Sequence, residues 1–117
     1  RKYGIEFGTH TVSHRGLPEI SSSAGAKELK DSKSFLEDIL GSEVFSFAYP
    51  YGALNPQTKE MVGEAGYVYA SATDTGPMRF NEDLLEIRRT QVFPWTSSFG
   101  FWKKTQPWYT RYKNLTR

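Results

Sequence analysis

The chain contains two histidines, His10 and His14, which stand four residues apart in the sequence THTVSH at positions 9–14. Residues four apart share one face of a helical turn, with their Cβ atoms about 5–6 Å from each other. Two neutral imidazoles placed in this way can bind one zinc ion. The spacing alone is a weak signal, because two unrelated loop histidines produce it as well.

A second candidate is the aromatic stretch FSFAYPYG at positions 45–52. One interpretation is a buried aromatic strand that ends in a Pro-Gly turn, and composition alone favours it. The other is the wall of a groove, in which Tyr49 and Tyr51 stack on a sugar ring. In that case the backbone N–H of Tyr51 could face a developing oxyanion.

Both candidates need elements that bring them together, and the hydrophobic pattern predicts those elements. Tyr3, Ile5 and Phe7 alternate with Gly4, Glu6 and Gly8, which is the period of a strand. Similar runs predict further strands along the chain. The four predicted strands cover residues 3–8, 44–49, 67–72 and 84–92.

Helical patterns separate these strands. Apolar residues at three- and four-residue spacing, among them Leu29, Leu36 and Ile39, predict a helix over residues 24–40. Phe35 widens the apolar face of this helix. We expect Ser32, which lies inside this apolar stripe, to bond the carbonyl of Glu28.

The dipeptide Asn55-Pro56 predicts the start of a second helix, with Asn as the cap and Pro in the first turn, and Gly66 predicts its end. The resulting order, β-α-β-α-β-β, predicts an α/β fold with a parallel sheet. Ligands gather at the carboxyl ends of strands in such sheets. We therefore expect the loops after Gly8, Tyr49 and Ala72 to be neighbours in space.

The composition of the chain excludes several classes of protein and of functional site. A chain of 117 residues makes one small domain, and the absence of cysteine excludes disulfides, thiolate metal sites and a cysteine nucleophile. No run approaches the about 18 apolar residues that a membrane span needs. Residues 103–117 hold five basic residues and no acidic ones, whereas the rest holds 10 basic and 13 acidic residues.

Aromatic residues lie in and directly before this basic C-terminal segment, including Trp102 and Trp108. A short helix capped by Thr96 or Ser97 is predicted to extend through Lys104. The favoured interpretation is that the aromatic rings of the C-terminal segment pack on the domain while its basic side chains face water. Contact with an anionic membrane surface ranks second, and single-stranded nucleic acid ranks last, so that we predict no nucleic-acid partner.

Two stretches taken together resemble a known family. The sequence GIEFGTHTVSHRGL at positions 4–17 resembles the second motif of the polysaccharide deacetylases, the NodB-homology or carbohydrate esterase 4 family. The sequence FAYPYG at 47–52 resembles the third motif, and EAGY at 64–67 resembles the family sequence after that motif. The resemblance covers about residues 3–92. It implies part of a distorted (β/α) barrel over residues 1–95, incomplete at the N-terminus, followed by a tail over 96–117.

The resemblance also implies an activity. Members of the family remove N- or O-acetyl groups from amino-sugar polymers with a divalent metal, commonly zinc. His10 and His14 match the two metal-binding histidines, and Tyr51 matches the residue whose backbone N–H binds the tetrahedral oxyanion. By the same resemblance Tyr49, Pro50 and Tyr51 contact the substrate, which would be an acetylated polysaccharide.

Several family features are missing from the sequence. There is no Thr-Phe-Asp-Asp type motif, which gives the family its catalytic base and third metal ligand. Ala48 stands where an Arg is common, and LEIRR at 85–89 stands where a general-acid histidine is expected. Asp74 lies near the place of the fourth motif, but a solvated loop carboxylate is the favoured interpretation.

These departures predict a C-terminal portion of a deacetylase that binds zinc weakly and is inactive alone. The alternative is a non-catalytic carbohydrate-binding or interaction module on the same scaffold. Loss of the first barrel strands would leave residues 3–8 as an open sheet edge. Because open edges recruit other strands, we expect a homo-oligomer.

Overall fold

A computed structural model of the protein describes residues 3–73 and 83–109. The described residues contain three α-helices, α1 (Ser22–Leu40), α2 (Pro56–Glu64) and α3 (Ser98–Lys104), and three strands, β1 (Ser46–Ala48), β2 (Tyr69–Ala72) and β3 (Ile87–Arg88). Two short 3-10 helices cover Leu17–Glu19 and Pro50–Gly52. The strands form one parallel sheet in the order β1-β2-β3. This arrangement confirms the predicted α/β fold.

Local signals set the ends of the two long helices. The side chain of Ser21 accepts a hydrogen bond from the Ala24 N–H at the start of α1, and Gly41 ends that helix in the left-handed region. At α2, Asn55 and Thr58 form a reciprocal capping box. Both helices therefore begin close to where the sequence predicts.

The buried face of α1 is narrower than its pattern predicts. Leu29 and Ser32 are buried, but Phe35 and Ile39 are 69% and 65% exposed. Ser32 donates to the carbonyl of Leu29 at 3.1 Å, so the prediction that it bonds Glu28 is wrong. The hydroxyl reaches back three residues rather than four, which satisfies it inside the core.

A hydrophobic core lies between the helices and the sheet. Leu29 of α1 and Val62 of α2 are fully buried, as is Ala70 at the centre of β2. Tyr67 adds a polar link, because its hydroxyl donates to the carbonyl of Leu29 at 3.1 Å and lies 2.6 Å from the Thr9 hydroxyl. Among the residues that the structure describes, the buried hydrophobic residues are Leu17, Leu29, Val44, Phe47, Tyr49, Val62, Tyr67, Ala70 and Ala72.

The first predicted strand is not formed. Only Thr9 pairs with the sheet, through a parallel bridge to Phe47, while residues 3–8 are exposed and without strand pairing. The left-handed Gly4, with φ 69°, interrupts the extended backbone. The predicted open edge strand is therefore wrong for this structure, and the homo-oligomer prediction loses the feature on which it depended.

The last predicted strand is also shorter than expected, since β3 contains only Ile87 and Arg88. Beyond it, α3 begins where predicted, and Ser97 rather than Thr96 is its cap. No residue of α3 is buried, and Trp102 and Trp108 are about half exposed. These two rings are therefore only partly covered by the rest of the described structure. Within residues 3–73 and 83–109, no helix is long and apolar enough to cross a membrane.

Candidate functional site

The two histidines meet in a loop that directly follows the Thr9 bridge. We call residues 10–14 the histidine loop. The rings of His10 and His14 lie with their centroids 4.6 Å apart and their planes inclined by 63°. The loop is not a helical turn, because Thr11 and His14 adopt left-handed φ angles of 64° and 59°. A backbone reversal, rather than helical spacing, therefore brings the imidazoles together.

Each imidazole is oriented through its Nδ1 atom. Nδ1 of His10 donates to the Ala48 carbonyl at 2.6 Å, because a carbonyl oxygen can only accept. Nδ1 of His14 lies 3.2 Å from the Tyr51 hydroxyl. Histidines that bind metals usually have the other ring nitrogen bonded in this way. The donor set thus fits two ligands of a zinc-type ion, each through Nε2.

The turn after β1 lies against this loop. We call residues 49–52 the tyrosine turn. The Tyr51 ring packs edge-on against His14 with centroids 4.8 Å apart, and Tyr51 itself is left-handed, with φ 59°. The turn is closed by hydrogen bonds from the Gly52 N–H to the Tyr49 carbonyl and from the Ala53 N–H to the Pro50 carbonyl. Among the bonds that close this turn in the described residues, none uses the Tyr51 N–H.

The three loops expected at one end of the sheet do lie together. His10 contacts Ala48 at the end of β1, and Gly52 comes so close to Thr73, just after β2, that a Cβ atom at Gly52 would stand 2.2 Å from the Thr73 hydroxyl. Parallel strands end at the same edge of a sheet, which explains this arrangement.

Tyr49 and Pro50 are core residues in this structure. Tyr49 is 1% exposed, and its hydroxyl donates to the Leu85 carbonyl at 2.8 Å. Burial raises the pKa of this hydroxyl far above its usual range, with further contributions from Asp83 and Glu86. Pro50 is also fully buried. Of the three residues predicted to contact substrate, only Tyr51, at 71% exposed, presents its side chain to solvent.

A third metal ligand is not found among the described residues, where no group of three His, Asp or Glu side chains is placed to hold a metal ion. Asp74, the carboxylate that the sequence places near the site, lies outside the described residues. The described residues therefore present two metal-ligand candidates and no identified carboxylate ligand.

The segment that stands in place of the general-acid motif is tied to α2 by ion pairs. Lys59 contacts Asp83 at 2.6 Å and Glu86 at 3.1 Å, and Glu86 also pairs with Arg88. Burial opposes ionisation of Glu86, but the hydrogen bonds from Arg88 and Lys59 outweigh it and lower the pKa of this carboxyl. Glu86 is therefore held as a carboxylate and is poorly suited to donate a proton.

The sequence does not predict the group that anchors the histidine loop. The carboxylate of Glu28, on α1, accepts hydrogen bonds from Val12 and Ser13. A charged residue on a helix gives no local signal of a contact with a loop 15 or 16 residues earlier in the chain. The hydrogen bond between the hydroxyls of Thr9 and Tyr67, which lie 58 residues apart, has no signal in the sequence either.

The fold, the histidine pair and the tyrosine turn define a member of the polysaccharide deacetylase family. The chain belongs to this family, because the family model described as "Polysaccharide deacetylase" matches residues 1–70. The match includes both the histidine loop and the tyrosine turn, and thus agrees with the resemblance seen in the two sequence motifs.

Individual relatives agree with this. The chain is 24% identical over 100 residues to the Bacillus subtilis (strain 168) protein YxkH, whose name places it provisionally among the polysaccharide deacetylases. Among solved structures, it resembles the Streptococcus pyogenes deacetylase PplD in complex with acetate, with a TM-score of 0.79 and 28% identity over 91% of this chain. A polysaccharide deacetylase from Bacillus cereus gives a TM-score of 0.69 and 27% identity over 85% of this chain.

The chain spans only part of these relatives. It covers 36% of YxkH, 47% of PplD and 31% of the Bacillus cereus protein. A chain of this length therefore corresponds to less than half of each of these proteins.

Proposed function

We propose that residues 1–95 supply part of the active site of a metal-dependent hydrolase that removes acetyl groups from an amino-sugar polysaccharide. One observation carries this proposal: the His10 and His14 rings lie 4.6 Å apart, with both Nδ1 atoms in contact with residues at the end of β1 and in the tyrosine turn. The likeness to PplD, whose structure contains acetate, supports the acetyl group as the reacting part of the substrate.

His10 and His14 would hold the metal through Nε2, and zinc suits two imidazole ligands. When bound, a divalent metal supplies Lewis-acid polarisation and activation of a water molecule. The bond from His10 Nδ1 to the Ala48 carbonyl fixes the tautomer that leaves Nε2 unprotonated. The Tyr51 N–H would donate to the acetyl oxygen as negative charge develops there, and loss of one such donor typically costs about 10²–10³ in kcat.

The general base and the third ligand are the parts of this machinery that the described residues do not provide. In the family, both come from an Asp-Asp motif that precedes the histidines. We propose that the 117-residue chain alone binds zinc weakly and does not hydrolyse substrate, because loss of a general base typically costs about 10²–10⁴ in rate. A longer protein with an upstream Asp-Asp motif would be active.

A carbohydrate-binding or interaction module without hydrolytic activity is the second candidate. The observation that favours it is the Tyr51 ring, which is 71% exposed and lies beside His14. Tyr51 would then contact sugar through its exposed ring.

Acetate release from acetylated chito-oligomers distinguishes these functions. We expect zinc-loaded longer protein to release acetate, His10→Ala and His14→Ala variants of it to lose turnover, and the 117-residue chain to release none. A Glu60→Gln variant is the control, because Glu60 is an exposed residue of α2. Turnover by the short chain would show that its own residues supply the base. Sugar binding without turnover in the metal-loaded longer protein would favour the module.

A further inference from the structure

One carboxylate from α1 binds the middle of the histidine loop. Oε2 of Glu28 accepts hydrogen bonds from two consecutive backbone N–H groups, those of Val12 at 2.7 Å and Ser13 at 3.0 Å. Oε1 accepts a third bond, from the Ser13 hydroxyl, at 2.6 Å. Both oxygens of Glu28 are therefore used by two residues that lie between the histidines.

The conformation of the loop needs an external support. Thr11 and His14, which flank this pair, are both left-handed, and a β-branched residue such as Thr adopts that region rarely. The Thr11 hydroxyl is buried and has no partner within the described part of the chain, so it does not stabilise the turn. Residues in such conformations persist when their surroundings hold them in place.

Glu28 is suited to this because it acts as a charged acceptor. Hydrogen bonds from Ser13 lower the pKa of its carboxyl, and nearby Arg15 adds to this effect against the opposing effect of burial. Hydrogen bonds to an ionised acceptor are about twice as strong as neutral ones. The helix that carries Glu28 is anchored in the core through Leu29, the next residue.

We propose that Glu28 is a positioning residue of the site, which holds residues 12 and 13 so that the His10 and His14 imidazoles face each other. It acts through the backbone between the two histidines. The inference that this geometry serves metal binding rests on the proposed function. The inference that Glu28 sets the geometry does not, and the two are tested by separate readouts.

The test uses the 117-residue chain and its Glu28→Gln variant, compared by NMR without metal and during titration with zinc. Gln keeps the size of the side chain but loses the charge and one acceptor oxygen. We expect the nuclear Overhauser contacts between the His10 and His14 rings to weaken in the variant. We also expect the zinc affinity, followed by the imidazole shifts, to fall by about 10-fold or more, as for other supports of metal ligands.

Controls separate positioning from general stability. Glu60→Gln makes the same chemical change on α2 and is expected to leave ring contacts and zinc affinity unchanged. Ser13→Ala removes only the hydrogen bond from the Ser13 hydroxyl. It should therefore weaken the ring contacts and the zinc affinity less than Glu28→Gln does. If Glu28→Gln does not fold, Ser13→Ala carries the test, with the same two readouts measured well below its melting temperature.

The outcomes are distinct. Wild-type ring contacts in folded Glu28→Gln would overturn the positioning role, and weakened contacts with unchanged zinc affinity would overturn its link to metal binding. If the wild-type chain shows no zinc-dependent imidazole shifts at all, the proposal that His10 and His14 alone bind zinc weakly is overturned. The metal-free ring contacts would still decide whether Glu28 sets the loop geometry.

Discussion

The histidine loop and the tyrosine turn meet at the same end of the sheet, but they are held in different ways. Each contains residues other than glycine in the left-handed region, namely Thr11 and His14 in one and Tyr51 in the other. The tyrosine turn is closed by hydrogen bonds between neighbouring residues and is part of the core, because Tyr49 and Pro50 are buried. The histidine loop is held from outside, by Glu28 and by the bridge from Thr9 to Phe47.

Because of this difference, we expect substitutions in the two regions to have different effects. The tyrosine turn is built from residues that pack in the core, so substitutions within it should lower global stability. The histidine loop depends on contacts from distant elements, so substitutions there should change the site more than the fold.

The largest effect is expected at Gly52. Its φ of 66° costs a residue with a side chain about 1–2 kcal/mol. The added Cβ would also stand 2.2 Å from the Thr73 hydroxyl, and relief of such overpacking costs about 1–3 kcal/mol. We expect Gly52→Ala to lower the free energy of unfolding by about 2–5 kcal/mol in urea denaturation.

Gly41 provides the matched control. It has nearly the same φ, 65°, but a Cβ there would meet nothing within 4 Å. Gly41→Ala should therefore show only the backbone cost of about 1–2 kcal/mol. Equal losses in the two variants would show that contact with Thr73 does not constrain the tyrosine turn.

A smaller effect is expected for Tyr49→Phe. The change keeps the buried ring but removes the hydrogen bond to the Leu85 carbonyl, which should lower the free energy of unfolding by about 1–2 kcal/mol. Tyr51→Phe is the control, because its hydroxyl belongs to an exposed side chain and lies 3.2 Å from Nδ1 of His14 rather than in the core. If thermal unfolding shows a larger loss of stability for Tyr51→Phe than for Tyr49→Phe, the assignment of Tyr49 to the core and of Tyr51 to the site is contradicted.

The same contrast explains which features could be predicted from the sequence. The Pro-Tyr-Gly sequence indicates a turn because Pro fixes φ and Gly permits a left-handed backbone. The caps at Ser21 and Asn55 and the parallel α/β order follow from equally local patterns. The family motifs identified His10, His14 and Tyr51, but they did not show that a backbone reversal brings the histidines together.

The features that could not be predicted depend on contacts with elements that are distant in the sequence. Tyr3, Ile5 and Phe7 alternate as in a strand, but alternation produces a strand only where a neighbouring strand bonds to it. Phe35 and Ile39 continue the apolar stripe of α1, yet no described element covers them. Glu28 was missed for a related reason, because its binding partner is known only once α1 is docked on the sheet.

The smallest effect is expected at low pH. The hydrogen bonds from Ser13 hold the pKa of Glu28 below its usual value of 4.5. A lowered pKa means that the carboxylate contributes stability above pH 4.5 and loses that contribution as the pH falls through the folded-state pKa. The stability difference between wild type and Glu28→Gln should therefore shrink below pH 4.5, as measured by urea denaturation. A difference that grows on acidification would contradict the ionised state of Glu28.

The hydrogen-bonded link from Thr9 through Tyr67 to Leu29 has a consequence for length variation in the chain. Because successive side chains point to opposite faces, a shift of one residue at position 9 would replace the buried hydroxyl with Gly8 or His10. Neither residue has a hydroxyl that could make the same contact in the core. Insertions before Gly8 should therefore leave the imidazole pair in place, whereas one added residue between Thr9 and His10 would displace His10 from the Ala48 carbonyl while the rest of the domain stays folded.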